Sequence, residues 1–414
     1  MNRLILVGNG FDLAHGLKTS YKDFLIWYLA ECFGSRSYLP SIYKDELLQI
    51  EFKDFYSFTR VVTAYKEGVY HSGYTKDDLI YFIASHFEQR TIKELLNINE
   101  KYIPVFIIAD SDHFSVSDDN RNEPFKVNVL SDLLKNLIIN CQDCNWVDVE
   151  NEYFEALKNC KNREGQFDFK KVNQLNDELQ FIKGKLKEYL EIQQKNARVS
   201  VKGNLIAHIK SKYNISDFDT TVDYENLRQK LGFDDRFKEE DHYLYVVNFN
   251  YTDTFNHYKD HVIEQSIFRK VEINHIHGEL YELKNPLIFG FGDEHDKDYL
   301  TFEEQGNNDL FTHIKSYQYF NTPNYRNLIR FLNSGDYQVF IMGHSCGLSD
   351  RTMFKEIFDH EHCKSVKIFH YQKPDGTNDF WEKTVNLGRH FSDKGRMRKL
   401  IVEFDEANAF PQCN

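Results

Sequence analysis

The sequence predicts an α/β protein in which a large helical insertion separates the first strand of a parallel sheet from the remaining strands. Four consecutive apolar residues, Leu4 to Val7, run straight into a glycine-rich turn, as expected for a short buried strand. Similar short apolar runs return mainly in the second half of the chain, and the stretch between them is mostly helical in its spacing. We therefore expect one α/β domain built from residues 1–25 and 240–414, with a mainly helical insertion at 26–239.

The alternative is two sequential domains, helical and then α/β, with the opening residues as the start of the first. That arrangement leaves the opening strand without a sheet, because the nearest group of several strands lies in the C-terminal half. The runs expected to join the first strand are all short and rich in Val, Ile, Phe or Leu: Leu244–Val247, Val271–Ile276, Leu287–Phe291, Gln338–Met342, Ser365–His370 and Leu400–Phe404.

The inserted region contains two amphipathic helical patterns, at Thr75–Leu96 and Phe167–Gln194. A further helix is expected directly after the first turn, with an interruption at Gly16. Val105–Ala109 differs from its surroundings because it is strand-like and follows Pro104. It would form part of a small hairpin or an extra strand of the main sheet.

The composition indicates a folded globular protein. The 414 residues include 35 Phe and 25 Tyr but only 7 Pro, which is unlike a disordered chain. A formal net charge of −13 argues against broad binding to nucleic acid or to an anionic membrane. The seven cysteines are scattered, and the sequence shows neither a secretory signal nor a membrane-spanning run. We expect a cytoplasmic protein with reduced thiols and no membrane partner.

The first turn reads Gly8-Asn9-Gly10-Phe11-Asp12. Glycines without Cβ atoms allow backbone N–H groups to approach an anion, and a following helix would add its dipole at the same place. The turn therefore predicts a nucleotide or phosphate cradle at the mouth of the sheet. An ordinary tight turn is the alternative, since Gly16 lies too far along the chain to complete the dinucleotide fingerprint.

Four later loops follow strand-like runs and carry polar residues, so we expect them at the same edge of the sheet. An Asn amide there can orient a hydroxyl or a water, a neutral His can accept a proton, and two glycine turns can hold a pyrophosphate and a ribose. The four loops are Asn248–Thr252, Asn274–Glu279, Gly290–Glu294 and Gly343–Asp350.

Each of these residues also has a purely structural interpretation. Asn248 could cap a turn as readily as act in chemistry, and a capping role is less expected for Asn250. His275 and His277 would share one face of a strand, but no carboxylate or Cys at ligand spacing accompanies them. The His360–Cys363 run is more typical of a solvated helix end, and Cys141-x-x-Cys144 lacks a second pair. No metal site is predicted.

Taken in order, the loops resemble the bacteriophage abortive-infection family AbiH. The segment Leu4–Phe24 is the most specific element of the resemblance. Phe249–Thr252, His275–Gly278 and Gly343–Ser345 support it, and Trp146–Glu150 is similar to a family element without an assigned chemical role. The resemblance spans nearly the whole chain and implies a role in antiphage defence, triggered by a phage-derived or host protein and compatible with a homo-oligomer.

The same order of motifs is similar to a divergent sirtuin-like, Rossmann-like NAD-binding fold. That resemblance implies that Asn250 and His277 are the catalytic Asn and His. It also implies that the residues lining the NAD site are Gly8, Asn9, Gly10, Phe11, Asp12, Gly343, Ser345 and Asp350.

The sequence departs from true sirtuins in two respects. No cysteine lies between His277 and Gly343, so the zinc module of the deacetylases is missing, and Asp12 stands where sirtuins usually have Ser. The NAD-destroying sirtuin-like domains of antiphage proteins are therefore the closer comparison.

On this resemblance we expect an NAD glycohydrolase in which Asn250 orients a water or a ribose hydroxyl and His277 accepts its proton. The competing hypothesis is a nucleotide-sensing module that acts through protein partners without turnover. The acidic balance and the lack of a metal–carboxylate cluster argue against nucleic-acid processing.

Overall fold

The computed structural model describes residues 1–35, 41–64, 73–98, 124–140, 146–219, 242–264 and 268–411. The chain divides into two compact units. We call Met1–Thr19 together with Leu190–Asn414 the sheet unit, and Ser20–Tyr189 the helical unit. The predicted strand Val105–Ala109 and the Cys141–Cys144 pair lie outside the described residues.

The described strands form two sheets, one parallel and one antiparallel. In chain order they are β1 (Asn2–Val7), β2 (Ser41–Lys44), β3 (Leu48–Phe52), β4 (Phe125–Val129), β5 (His242–Asn248), β6 (Phe268–His275), β7 (Tyr337–Met342) and β8 (Cys363–Phe369).

The described α-helices differ widely in length and are joined by short 3₁₀ segments. No helix in this part of the chain is both long and apolar enough to cross a lipid bilayer. In chain order they are α1 (Asn9–Ala14), α2 (Tyr21–Gly34), α3 (Phe55–Ala64), α4 (Lys76–Glu88), α5 (Ile92–Leu95), α6 (Asp132–Asn140), α7 (Trp146–Lys158), α8 (Phe169–Asn196), α9 (Gly203–Ile209), α10 (Lys259–Ile263), α11 (Tyr299–Glu304), α12 (Lys315–Gln318), α13 (Asn324–Leu332), α14 (Arg351–Asp359), α15 (Phe380–Gly388) and α16 (Lys394–Leu400).

The sheet unit contains a five-stranded sheet with β1 at its centre. The strand order is β6-β5-β1-β7-β8, and every neighbouring pair is parallel. When these five strands are numbered along the chain, the order is 3-2-1-4-5. Doubly wound dinucleotide-binding sheets share this order for their first five strands. The predicted α/β class with a parallel sheet is confirmed.

For two of the apolar runs, the prediction of a strand is wrong. Leu287–Phe291 is interrupted by Gly290, whose φ of 150° breaks the extended run, and Phe291 makes an isolated bridge to Ile314. In Leu400–Phe404 the first residue closes α16, and the next makes an isolated bridge to β8. Both runs are apolar because they pack against the sheet unit's core, which a single-sequence pattern does not distinguish from a strand.

The central strand β1 is buried on both faces. Leu4 and Leu6 belong to one hydrophobic cluster, and Ile5 and Val7 belong to a second cluster on the opposite face, as the two-residue period of a strand requires. Side chains of α13, α14 and α15 complete the first cluster, and those of α1, α9 and α10 complete the second. This double cover explains why the strand reads as a continuous apolar run.

Near the amino end of β1, the fully buried Arg3 joins three segments of the sheet unit. Its Nη1 donates to the carbonyl oxygens of Ile209 at 2.7 Å and Ser211 at 2.9 Å, and its Nη2 donates to Gln338 Oε1 at 3.3 Å. The guanidinium also lies 4.2 Å from the ring centroid of Phe340. A charged anchor therefore sits at the end of the sheet opposite the loops predicted to carry function.

The helical unit contains the antiparallel sheet β2-β3-β4. Asp45, between β2 and β3, holds this sheet to α2. Its Oδ2 accepts hydrogen bonds from the hydroxyls of Tyr28 at 2.8 Å and Tyr43 at 2.7 Å, and its Oδ1 accepts the backbone N–H groups of Leu47 and Leu48. Both oxygens of this carboxylate are thus used inside the helical unit.

We expect Arg3→Met to lower the free energy of unfolding of the sheet unit by about 3 kcal/mol, because two carbonyl oxygens and one amide oxygen lose their buried donor. Arg3→Lys keeps the charge without the forked geometry and should recover only part of the loss. Denaturant unfolding followed by circular dichroism measures both. A Met variant as stable as the wild type would contradict an anchoring role for the guanidinium.

Candidate functional site

Two glycine turns meet at the carboxyl edge of the sheet. The turn after β1 contacts the turn after β7 through backbone hydrogen bonds: the Gly8 N–H donates to Met342 O at 3.2 Å, and the Gly10 N–H donates to Gly343 O at 2.8 Å. A Cβ on Gly8 would lie 2.6 Å from the Cα of His344, and one on Gly343 would overlap the backbone at Gly10. Only glycine permits this approach.

This contact uses donors that the sequence assigned to a phosphate cradle. The N–H groups of Gly8 and Gly10 donate to the β7 turn, and the Phe11 N–H donates to Gly8 O at 2.8 Å. The ring of Phe11 is fully buried in the second core cluster, where it stacks on His15 with centroids 4.7 Å apart. Contact of these residues with a nucleotide stays a prediction, and it would have to use atoms other than these three N–H groups.

Asn9 is half-buried in the same turn, and its Oδ1 accepts the hydroxyl of Thr19 at 2.6 Å. Ser345, on the β7 side, is also half-buried, and its carbonyl oxygen accepts the Asn386 side-chain amide at 3.1 Å. These two predicted binding residues therefore flank the glycine contact with side chains that are not fully enclosed.

The loop after β5 is tied to the first glycine turn by Asn250. Its Nδ2 donates to Gly8 O at 3.0 Å, and its own N–H donates to Asn248 Oδ1 at 3.0 Å. Asn248 also donates to Thr252 O at 3.4 Å, so its amide closes the turn at both ends. Asn248 therefore caps the turn, which was one of its two interpretations. Asn250 instead connects the loop after β5 to the glycine turn after β1.

Asp12 is a buried carboxylate with one oxygen satisfied. Its Oδ2 accepts the hydroxyl of Thr252 at 2.6 Å, while Oδ1 is enclosed and has no hydrogen-bond partner in the described residues. Burial raises the pKa of Asp12 to about 6, and the polar side chains of Thr252, Thr254 and Asn250 oppose that rise. An unsatisfied acceptor in a buried carboxylate is costly unless a donor completes it.

His277 follows β6 and makes two polar contacts through one ring nitrogen. Its Nε2 lies 3.0 Å from Asp350 Oδ1 and 3.1 Å from the hydroxyl of Tyr319. Its Nδ1 has no hydrogen-bond partner among the residues that the structure describes. A carboxylate acceptor on Nε2 fixes the proton there and leaves the Nδ1 lone pair as the basic atom.

Asp350 lies just before α14 and forms a buried ion pair with Lys315. Lys315 Nζ donates to Asp350 Oδ1 at 3.0 Å, and the two side chains are only 1% and 4% exposed. Although burial alone would raise the pKa of Asp350, the adjacent Lys315 ammonium and His277 hold it well below its usual range. The predicted nucleotide-binding residue Asp350 is thus bonded directly to the predicted catalytic histidine.

Sequence reasoning missed Lys315, which lies in no glycine-bearing or polar loop. The Gly290–Asp293 loop positions it: the Lys315 N–H donates to Phe291 O at 2.8 Å, and a Cβ on Gly292 would lie 3.3 Å from Lys315 Cβ. The glycines of that loop were noted, but nothing local in the sequence shows which segment they approach. Only the contact with Asp350 in the folded protein identifies Lys315 as a residue of the site.

A second imidazole, His344, packs beside the site. Its ring centroid lies 4.2 Å from that of Phe249, and the centroid of the His277 ring lies 5.1 Å from that of Phe249. His344 Nδ1 accepts the Cys346 N–H at 2.9 Å, and burial lowers the pKa of His344 to about 3. Since His344 also borders Gly8, the rings of Phe249 and His344 connect the His277 side of the site with the glycine turns.

Two of the histidines considered as metal ligands in the sequence have protein partners. His275 lies 3.1 Å from Asn256 Oδ1 and 3.4 Å from Asn248 Nδ2, and His362 pairs with Asp336 at 2.9 Å. Within the described ranges, no group of three or more His, Cys, Asp or Glu side chains could hold a metal ion. The Trp146–Glu150 segment forms the start of α7 in the helical unit.

We expect Gly343→Ala to destabilise the protein more than Gly376→Ala. Both glycines have positive φ, 74° and 85°, so both substitutions carry a strain of about 1 kcal/mol. A Cβ at 376 meets nothing within 4 Å, whereas one at 343 overlaps the turn after β1 and should add about 2 kcal/mol. Thermal unfolding of the two variants measures the difference, and equal losses would contradict the close contact.

We expect Asp12→Asn to remove a pH-dependent loss of stability. Because its pKa is raised from 3.8 to about 6, folded Asp12 retains a proton that the unfolded chain has released. The stability that this bound proton gives the folded state is lost as the pH rises through 6. The wild type should lose about 1 kcal/mol between pH 5 and 7.5 that the variant keeps. Urea unfolding at both pH values tests this, and a constant difference between the proteins would contradict it.

Comparison with known families gives a match that spans the residues of this site. The sequence profile of the family described as bacteriophage abortive infection AbiH matches residues 4–372, which include both glycine turns, Asn250, His277, Lys315 and Asp350. A search of curated proteins found no match to the chain. Because the family match covers far more than half of its length, the chain belongs to the AbiH family of bacteriophage abortive infection proteins.

Proposed function

We propose that this AbiH protein binds NAD and hydrolyses its nicotinamide–ribose bond at a sirtuin-like site, thereby acting in abortive infection. The observation that carries the proposal is the convergence of four separate loops. Gly8 and Gly10 contact Gly343, Asn250 binds Gly8, and the Phe249 ring joins this group to His277. These are the loops that the resemblance to sirtuin-like domains assigns to NAD.

The position in the sheet supports a nucleotide. β1 lies at the centre, and the chain continues to β5 and β6 on one side and to β7 and β8 on the other. In open α/β sheets, ligands bind outside the carboxyl ends of strands at this kind of switch point. The two glycine turns follow β1 and β7, the strands on either side of the switch.

Asp12 supports a ligand that carries hydroxyl groups. Its buried Oδ1 has no partner in the described residues, and a ribose hydroxyl could supply the missing donor. A phosphate would be repelled by the ionised carboxylate. We therefore propose that a ribose lies near Asp12.

The proposed reaction needs one proton acceptor. A water oxygen attacks C1′ of the nicotinamide ribose, the C1′–N bond breaks, and nicotinamide leaves as a neutral molecule with the electron pair. The proton of the attacking water passes to Nδ1 of His277, and ADP-ribose is the second product. Asn250 would orient the water or a ribose hydroxyl through its amide.

A nucleotide sensor without turnover is the second candidate. The specific observation in its favour is the enclosure of the site: His277, Asp350 and Lys315 are buried, and the glycine amides are bonded within the protein. Such a site would require opening by a trigger, for which we propose a phage-derived or host protein. We also propose that the protein forms a homo-oligomer and acts in the cytoplasm.

We expect the purified protein, with lysate from phage-infected cells as trigger, to release nicotinamide from NAD. His277→Gln and Asn250→Ala should lower that rate by about 10²–10⁴-fold, since each removes a group proposed to activate the nucleophile. Chromatographic quantification of nicotinamide measures the rate. Equal rates in all three proteins would contradict both assigned roles.

His362→Gln is the matched control, because His362 pairs with Asp336 at the amino end of β7. The glycine turn of the proposed site follows the carboxyl end of that strand. It should retain the wild-type rate. Calorimetry with NAD and ADP-ribose distinguishes the second candidate: tight binding without release under triggered conditions favours the sensor. If the protein neither binds NAD nor releases nicotinamide from it, NAD is not the ligand.

A further inference from the structure

Asp350 Oδ1 accepts hydrogen bonds from two different groups. Lys315 Nζ and His277 Nε2 each lie 3.0 Å from this one oxygen. We propose that Lys315 is a positioning residue: through Asp350 it holds the His277 ring with its proton on Nε2 and keeps Nδ1 as a neutral proton acceptor. This inference deepens the proposed function and rests on it for the role of Nδ1.

The geometry gives Lys315 no direct part in chemistry. Its side chain is 1% exposed and its ammonium is directed at Asp350. A lysine in this position acts on the carboxylate, and the carboxylate acts on the imidazole. Asp350 in turn has its second oxygen 3.5 Å from the hydroxyl of Ser349, so the carboxylate is held from both sides.

The balance of charge explains why a lysine is needed. An ionised carboxylate alone beside an imidazole favours the protonated ring, which cannot act as a base. Lys315 compensates the Asp350 charge, so the pair as a whole is neutral toward His277. The ring then receives an orienting hydrogen bond from a carboxylate whose charge is compensated.

The other titratable groups around His277 do not replace this cation. The Tyr319 hydroxyl, 3.1 Å from Nε2, is uncharged, and His344 is neutral near pH 7 because burial lowers its pKa to about 3. Arg351 lies one residue beyond Asp350 but pairs with Asp293 at 3.2 Å, which makes that pair neutral as well. Lys315 is therefore the cation whose removal changes the charge balance at His277.

Two substitutions should change the acid limb of the nicotinamide-release profile in opposite directions. Lys315→Met leaves the Asp350 charge uncompensated and should move the limb to higher pH by about one unit. Asp350→Asn leaves the lysine charge uncompensated and should move it to lower pH. Lys315→Arg keeps the cation and should remain close to the wild type. A merely structural role would give no such pattern of opposite signs.

The same question can be answered without turnover. Nitrogen NMR of histidine-labelled full-length protein, with His277→Gln to identify the signal, reports which ring nitrogen carries the proton. The wild type should show the Nε2–H form of His277, and Lys315→Met should show more of the doubly protonated ring at the same pH. Failure of the proposed reaction would leave this measurement interpretable.

Lys383→Met is the matched control. Lys383 is another buried lysine of the sheet unit, and it pairs with Asp379 at 3.0 Å rather than with Asp350. Its loss should change stability without changing the His277 signal. The proposal is overturned if the wild type carries the proton on Nδ1, or if Lys315→Met and Asp350→Asn shift the histidine in the same direction. If Lys315→Met fails to fold, Asp350→Asn still tests the direction, because a shift of its acid limb to higher pH would overturn the proposal.

Discussion

The arrangement of the sheet unit depends on the contact between two glycine turns. Gly10 donates its N–H to the carbonyl of Gly343, and neither residue could carry a Cβ without displacing the other backbone. Because the two turns end the neighbouring strands β1 and β7, the contact closes the switch point of the sheet with main-chain atoms. The loop after β5 is attached to this contact through Asn250, whose Nδ2 donates to Gly8 O at 3.0 Å.

Two buried carboxylates at this edge of the sheet have opposite electrostatic environments. Asp12 has only uncharged hydrogen-bonding neighbours among the groups that lower its pKa, so burial raises that pKa to about 6. Asp350 is equally buried, but Lys315 and His277 lower its pKa far enough to keep it ionised. Environments that move the pKa values of two carboxyl groups apart are a frequent property of sites that transfer protons. In this protein the difference comes from Lys315 and His277, which both contact Asp350.

The aromatic ring of Phe249 has an organising role beyond burial. It contacts both His277 and His344 in edge-to-face geometry. Its neighbour Asn250 is bonded to Gly8, so one dipeptide links the glycine turns to the histidine side of the site. The β5 loop is thus the physical connection between the binding and the chemical parts of the proposal.

The sequence by itself determined the parallel α/β sheet, the position of β1 and the loops that meet at its edge, because buried strands and glycine turns have local signatures. It also identified Asn250, His277 and Asp350 as residues of those loops. Only the tertiary structure decided that Gly8 and Gly10 bond to the β7 turn, that Leu287–Phe291 is no strand, and that Lys315 pairs with Asp350. These outcomes depend on which distant segments touch, and an ion pair between residues 35 positions apart has no local pattern.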